Sequence, residues 1–139
     1  MSPQTPSAEA QAVVRECSDL SDRGAASFPE IVSKLLAVGV ERYHVDLIRM
    51  EKTFYWPDGA SNRVAGALTP SKAAATFSAS NVQAAVRAAQ TGAIQYKEFC
   101  TSVLTAGCVG YQAHLAGKRV IYYGRDGDSH TEWFPGAQP

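Results

Sequence analysis

The apolar residues in the first half of the chain change their spacing once, at a glycine. Before that glycine they recur three and four residues apart, the spacing of one face of an α-helix. The members of this stripe are Phe28, Ile31, Val32, Leu35 and Leu36. Gly39 then predicts the end of the helix, because glycine readily adopts the positive φ that a helix C-terminus requires. We expect the stripe to face the core and Leu36 to be almost fully buried.

Beyond this glycine the period becomes two. Tyr43, Val45 and Leu47 alternate with His44 and Asp46, which is the pattern of a half-buried β-strand. Two further strand-like segments follow within a few residues of each other, a spacing that allows only antiparallel hairpins. The pattern therefore predicts a three-stranded meander with His44 and Asp46 on the face that points away from the helices.

The same succession of patterns returns 68 positions later. When residues 27–62 are aligned with residues 95–130, nine of the 36 positions are identical, against roughly two or three expected from ordinary residue usage. Gly39 matches Gly107, and Leu36 matches Leu104. We interpret the match as an internal duplication.

These patterns predict the fold class and the domain organisation. Each half should contain two helices and then a three-stranded antiparallel meander, so the fold class is α+β, a two-layer sandwich with the helices on one face of the sheet. A chain of 139 residues is expected to form a single domain. We place the two repeats at residues 7–68 and 80–135, with a connecting loop at 69–79.

Two serines predict where helices begin. Ser27 is followed three residues later by Glu30, and Ser80 is followed by Gln83. In a capping box the serine hydroxyl accepts a hydrogen bond from the third backbone amide, while the longer side chain accepts one from the serine amide. We therefore predict one helix after Ser27 and another after Ser80.

The composition narrows the classes of partner and location. The 13 basic residues balance 13 acidic ones, so no net field attracts a nucleic acid or an anionic membrane, and we expect neither as a partner. No basic leader followed by an apolar run is present, and no stretch of about 18 apolar residues. A soluble, cytoplasmic protein is expected.

The three cysteines are Cys17, Cys100 and Cys108, and they show no CxxC spacing. An odd number without that spacing argues against a disulfide framework and against a zinc ribbon, so we expect small buried side chains. The sequence also lacks the GxGxxG, P-loop, GxSxG and HExxH motifs. No cofactor and no resident metal are predicted, and no catalytic residue can be named.

The candidate site rests on three histidines and two carboxylates. His44 and Asp46 lie two residues apart on a strand and so share a face, and the duplication places His114 at the position of Asp46. His130 and Glu132 likewise share a face in the last strand and are possible further contributors. Imidazole and carboxylate groups serve proton transfer near neutral pH or bind a transition metal, although exposed strands commonly carry such residues without a function.

Three functions remain open at this point. The first is a non-catalytic binding module for a small molecule or a protein, using a sheet face or a cleft between the repeats. The second is a small enzyme or metal-binding protein built on His44, Asp46 and His114. The third is a structural, self-associating protein, for which a homodimer is the simplest form. Binding is preferred because it requires no catalytic group.

Three segments carry a resemblance to a known family. They are GVERYHVDLIRMEKTFYWPDG, TAGCVGYQAHLAGKRVIYYGRDGD and the tail EWFPGAQP. They resemble the bacterial family grouped as domain of unknown function 1398, also called YbcV/YdfO-like, whose members often carry the label phage envelope protein. The likeness extends from Ala8 to Pro139. It implies a two-layer sandwich of helices and strands and no residue-level function, and the absence of a signal or membrane segment leaves the envelope label without support.

Overall fold

The computed structural model describes residues 5–69 and 71–137. The first half contains α1 (Ala8–Asp22), α2 (Phe28–Ala37), β1 (Arg42–Asp46), β2 (Glu51–Tyr55) and β3 (Ser61–Ala65). The second half contains α3 (Ala79–Gln90), α4 (Tyr96–Thr105), β4 (Cys108–His114), β5 (Arg119–Gly124) and β6 (Ser129–Trp133). None of the helices in these residues is both long enough and apolar enough to cross a lipid bilayer.

The strands form one antiparallel sheet in the order β3-β2-β1-β4-β5-β6. Each half contributes a three-stranded meander, and the two meanders join where β1 pairs with β4. Side chains that point to the helices are buried, whereas those on the other side of β1 and β2 are only half-buried. The α+β class predicted from the sequence is confirmed. The internal duplication stays a prediction.

The predicted start and end signals of α2 are both present. The Ser27 hydroxyl accepts from the Glu30 amide at 3.3 Å, and the Ser27 amide donates to the Glu30 carboxylate at 3.1 Å. This reciprocal pair satisfies two amides that a helix N-terminus leaves unpaired. At the C-terminal ends of α2 and α4, Gly39 and Gly107 have φ values of 84° and 86°, as the sequence predicted.

The predicted start of α3 is wrong by two residues. The capping side chain belongs to Ser78, whose hydroxyl accepts from the Asn81 amide at 3.2 Å. The Ser78 amide donates to the Ala106 carbonyl at 2.7 Å, and this tertiary bond fixes the residue as the last extended one before the helix. Ser80 and Gln83, the predicted pair, therefore lie inside α3.

An aromatic cluster fills the space between the helices and the centre of the sheet. Tyr43 of β1 contacts Phe54 and Tyr111, with ring centroids 5.2 Å and 6.5 Å apart. Phe99 of α4 meets Tyr122 edge-on at 6.1 Å. All five side chains are buried, so this cluster ties the central strands and one helix into a common core.

One predicted core residue is on the surface. Leu104 of α4 is buried as expected, but Leu36 of α2 is 51% exposed, and Leu35 beside it is 0% exposed. The difference follows from how the two helices pack. Helix α4 lies against α1, α3 and β4, whereas α2 packs mainly against α1. A helix covered on one side buries a narrower stripe, so the second half of the predicted face remains in solvent.

The neighbouring leucines of α2 provide a matched test of this packing. Replacing Leu35 by Ala should lower the free energy of unfolding by about 2–5 kcal/mol, because a fully buried side chain is lost and a cavity remains. Replacing Leu36 by Ala should lower it by less than about 1 kcal/mol. Urea denaturation measures both. A larger loss for Leu36→Ala than for Leu35→Ala would contradict the assigned face.

Candidate functional site

The open face of the sheet, the side away from the helices, carries most of the candidate residues. On β1 the half-buried positions are Arg42, His44 and Asp46, which alternate with the buried Tyr43 and Val45. Because β1 lies in the middle of the sheet, pairing on both sides extends each of these positions into a row of neighbouring side chains. Adjacent positions in such a row have Cα atoms about 5 Å apart.

The row through Arg42 runs across the sheet, and we call its part on the five strands from β2 to β6 the arginine row. Its members, from β2 to β6, are Tyr55, Arg42, His114, Arg119 and Trp133. It has an aromatic side chain at each end, an arginine next to each aromatic, and an imidazole at its centre. A row of this composition on a solvent-facing sheet is the most distinctive chemical feature of the surface.

Each arginine of the row stacks on its aromatic neighbour. The guanidinium carbon of Arg42 lies 4.0 Å from the centre of the Tyr55 ring, and that of Arg119 lies 4.7 Å from the Trp133 ring. Stacking occupies the flat face of a guanidinium and leaves its N–H groups, which lie in the plane, able to donate hydrogen bonds outward. The two cations therefore lie beside their rings. The Nε–H of Arg42 donates to Glu41, and the terminal N–H groups of both arginines remain available.

His114 lies between these two cations. Burial lowers the pKa of its imidazole, Arg119 and Arg42 lower it further, and Glu41 acts in the opposite direction. The neutral imidazole is therefore the favoured form at neutral pH. Glu41 itself accepts a hydrogen bond from Arg42 at 3.1 Å, so its charge is shared with that arginine.

A second polar contact on the open face joins side chains of β1 and β5, two strands that are separated by β4. The Tyr123 hydroxyl of β5 lies 2.5 Å from His44 Nε2 of β1, and the two rings are nearly parallel. Between them stands Gly110 of β4, where a Cβ atom would collide with the Tyr123 hydroxyl and with the Val45 carbonyl. The absence of a side chain at Gly110 allows the tyrosine to reach across the strand.

Asp46 supports this contact and shapes the adjacent turn. Its Oδ1 accepts hydrogen bonds from the amides of Ile48 and Arg49, both at 3.0 Å, which fixes the turn between β1 and β2. Its charge also acts on the neighbouring pair. Burial lowers the pKa of His44 while Asp46 raises it, and burial followed by Asp46 raises the pKa of Tyr123.

The predicted site residues on the open face do not form one cluster. His44 and Asp46 are neighbours on β1, as predicted. His114 shares their face but pairs opposite Arg42, four residues along the sheet from Asp46, which is roughly 13 Å. Among the residues that the structure describes, no three His, Cys, Asp or Glu side chains lie close enough to hold a metal ion. His44, Asp46 and His114 therefore do not form a metal-binding cluster.

His130 and Glu132 lie on the opposite, helix-facing side, which corrects their prediction as further members of the site. They pair across from Tyr122 and Val120, two buried residues of β5. There His130 Nε2 lies 2.9 Å from the Glu132 carboxylate, and Arg87 of α3 approaches that carboxylate to 3.8 Å. These contacts join β6 to α3 and so connect the sheet to the helix layer.

A second buried polar cluster has no sequence signal. Lys52 Nζ of β2 donates to Asp22 Oδ1 at 3.0 Å and to the Ser18 hydroxyl at 3.1 Å, and it lies 4.9 Å from the centre of the Tyr96 ring. Asp22 also accepts from the Ala67 amide at 2.8 Å. The Lys52 and Asp22 side chains are 5% and 3% exposed.

The surroundings of this ion pair limit what it can do. The adjoining cavity has a volume of about 10 Å³, which is enough for a single water molecule. No ligand can enter it, so the cluster is structural. Its position connects the C-terminal end of α1 to β2 and to the segment after β3.

The arginine row was not predicted from the sequence, because alternation within a single strand does not show which residues of other strands lie beside it. Arg42 has the same parity as His44, so alternation alone places it on the open face. Arg119 becomes its neighbour only through the registers of β1 with β4 and of β4 with β5. The hairpin at Gly117 and Lys118 was a usable signal, since a tight turn fixes the register of the strands it joins.

Fold and surface together define a two-layer α+β protein with one open sheet face that carries arginine and aromatic side chains. The chain belongs to the family described as protein of unknown function, DUF1398, whose model matches residues 21–131. No curated protein matches the sequence. The family resemblance is thus confirmed, while the YbcV/YdfO-like name and the phage envelope label gain no support. The cytoplasmic location stays a prediction.

The charge of Asp46 can be tested without disturbing the turn. In Asp46→Asn the side-chain oxygen still accepts from the two turn amides, but the negative charge is gone. The pKa of His44 should fall, because the imidazolium loses a favourable charge, and the pKa of Tyr123 should fall as well, because its anion loses an unfavourable one. NMR titration of both rings measures the shifts, and a rise in either pKa would contradict the geometry.

The buried Lys52–Asp22 pair can be compared with an exposed one. Lys52→Met should lower the free energy of unfolding by about 3–5 kcal/mol, because Asp22 is left buried and unpaired. Adding Asp22→Asn should recover part of this loss. In the exposed pair of Arg23 and Asp19, Arg23→Gln should cost less than about 1 kcal/mol. Equal losses in denaturant titrations of the two single variants would overturn the structural role.

Proposed function

We propose that this protein is a non-catalytic binding module whose ligand site is the open face of the sheet. The arginine row carries the proposal. It presents two stacked guanidinium groups, an imidazole and two aromatic rings to solvent on five adjacent strands. Arginine and aromatic side chains contribute much of the energy at binding surfaces because they combine donors, charge and contact area.

The open face of the sheet suits a ligand that contacts it over an area. The β1 and β4 strands pair along the whole of β1, so the sheet is continuous at this junction. A pocket of about 90 Å³ between the halves lies elsewhere, beside Met50, Leu68, Lys97 and Cys100. The cavity on the helix side of that junction, beside Tyr43 and Tyr111, holds about 10 Å³. A ligand that uses this face therefore lies on it and contacts several strands at once.

The alternatives from the sequence have less support. The enzyme or metal-binding alternative needed His44, Asp46 and His114 together, but His114 is only a diagonal neighbour of His44 and lies roughly 13 Å along the sheet from Asp46. The contact between His44 and Tyr123 holds two titratable groups in a fixed position but adjoins no enclosed pocket. Self-association through the same face remains a separate outcome, because a second copy could cover it.

The proposal predicts where ligands act. Isotope-labelled protein screened by NMR against a library of small aromatic anions should show amide shifts concentrated in β1, β4 and β5, together with the indole signal of Trp133. The double variant Arg119→Gln, Trp133→Ser should weaken any hit by about tenfold, since a charged hydrogen bond and a stacking surface are removed. Arg15→Gln, on the exposed side of α1, serves as the control.

Two results would contradict the proposal. Hits whose shifts lie in the helices, with the open face silent, would place the site elsewhere. A sedimentation mass of two chains that returns to one chain in the double variant Arg119→Gln, Trp133→Ser would show that a second copy covers the face and would favour the self-associating function.

A further inference from the structure

We propose that Arg42, His114 and Arg119 form an oxyanion site, at which a phosphate or carboxylate group of a small molecule sits above the imidazole and between the two guanidinium groups. This inference rests on the proposed function, because it identifies the class of ligand that the open face binds. It assigns the central three members of the arginine row to the charged group and leaves the two aromatic ends for the remainder of the molecule.

The spacing of the three side chains suits a single anionic group. Arg42 and Arg119 are the two neighbours of His114 in the register, so their Cα atoms flank it at about 5 Å on either side. Both side chains are long, and both guanidinium groups lie over the rings of their outer neighbours. Their in-plane N–H groups can therefore donate to oxygens held over the centre of the row.

The charges around His114 leave one cation unmatched. The charged groups that act on His114 are Arg119 from β5, Arg42 from β1 and Glu41 next to Arg42. Glu41 pairs with Arg42, and within residues 5–69 and 71–137 no carboxylate lies within 4.0 Å of the Arg119 guanidinium. A bound oxyanion would supply the missing negative charge and would also favour the protonated imidazole.

The distribution of charge on the rest of the face argues for a small ligand. At the other end of the strands, Glu51 and Asp46 pair opposite each other, and among the described residues the cation within 4.0 Å of Glu51 is the exposed Arg49. The face is therefore basic along one row and acidic along another. A nucleic acid would meet both signs, whereas a compact anion needs only the basic row.

The experiment follows the His114 ring by NMR across a pH titration, at constant ionic strength. Chloride serves as the reference, and inorganic phosphate and sodium acetate are the two probes. The pKa of His114 should rise in at least one probe relative to chloride, because anion binding stabilises the imidazolium. A rise with phosphate alone identifies a phosphate-bearing ligand, and a rise with acetate alone identifies a carboxylate.

Variants separate binding from general electrostatics. In Arg119→Gln the pKa of His114 should already be higher in chloride, since a neighbouring cation is lost, and the dissociation constant of the effective probe should weaken by about tenfold. Arg119→Lys, which keeps the charge, should recover part of the affinity. Arg63→Gln removes one exposed arginine of the same face outside the row and should change the dissociation constant by less than about twofold.

The result that overturns the oxyanion site is a His114 pKa that is the same in chloride, phosphate and acetate. Equal weakening by Arg63→Gln and Arg119→Gln would also overturn it, because the anion would then respond only to net charge. If the open face still bound members of the aromatic library, the binding module would stand and only the ligand class would fall. If the face were silent in both experiments, the proposed function would fall with it.

Discussion

The pairing of β1 with β4 is the constraint on which the rest of the molecule depends. Each half supplies only three strands, and each would end in an unpaired central edge if the other were absent. The five residue pairs between Arg42–Asp46 and Gly110–His114 remove both edges and make one six-stranded sheet. The same register sets Arg42 beside His114, so the junction that completes the sheet also assembles the centre of the arginine row.

This junction tolerates little variation in side-chain size. Gly110 faces Asp46 in the register, and its position is crowded by the Val45 carbonyl and by the Tyr123 hydroxyl. The register of β4 with β5 also shifts between Cys108 and Gly110, a bulge that adds twist where the two meanders meet. Tyr123 can bond His44 only because of this close approach. The contact between these two side chains is therefore a consequence of how the halves join.

Local periodicity predicted what a single strand or helix determines by itself. The alternation around His44, the Ser27–Glu30 cap and the two glycine helix ends all depend on residues within a few positions of one another. The predicted burial of Leu36 was wrong because the width of a buried stripe depends on how many elements pack against the helix. The placement of His130 and Glu132 beside the other candidate residues was wrong because the register with β5 turns both side chains toward the helices.

The candidate site was only partly predictable, again because local patterns describe single strands and not their neighbours. The residues of β1 were correctly placed on one face, but the arginine row needed four strand registers at once. No tight turn joins β1 to β4, so the central one of these registers had no local signal. The ion pair of Lys52 and Asp22 was even harder to predict from the sequence. Its members lie 30 positions apart on a helix and a strand, and neither shows a local pattern that marks it as buried.

The offset of 68 positions relates the two charged rows of the open face to each other. If the predicted duplication holds, that offset carries the arginine row onto the row of opposite sign. Under it His114 corresponds to Asp46, Arg119 to Glu51, and Arg42 to Gly110, so the cationic and imidazole positions of one row are carboxylates or glycine in the other. Two equivalent surfaces would then have diverged in charge, while buried positions such as Tyr43 and Tyr111 kept their character. The core is not wholly unchanged, because the buried Lys52 corresponds to Val120. The close-packed core restricts which side chains can change, whereas the open face does not, so the two rows are free to carry opposite charge on the same backbone plan.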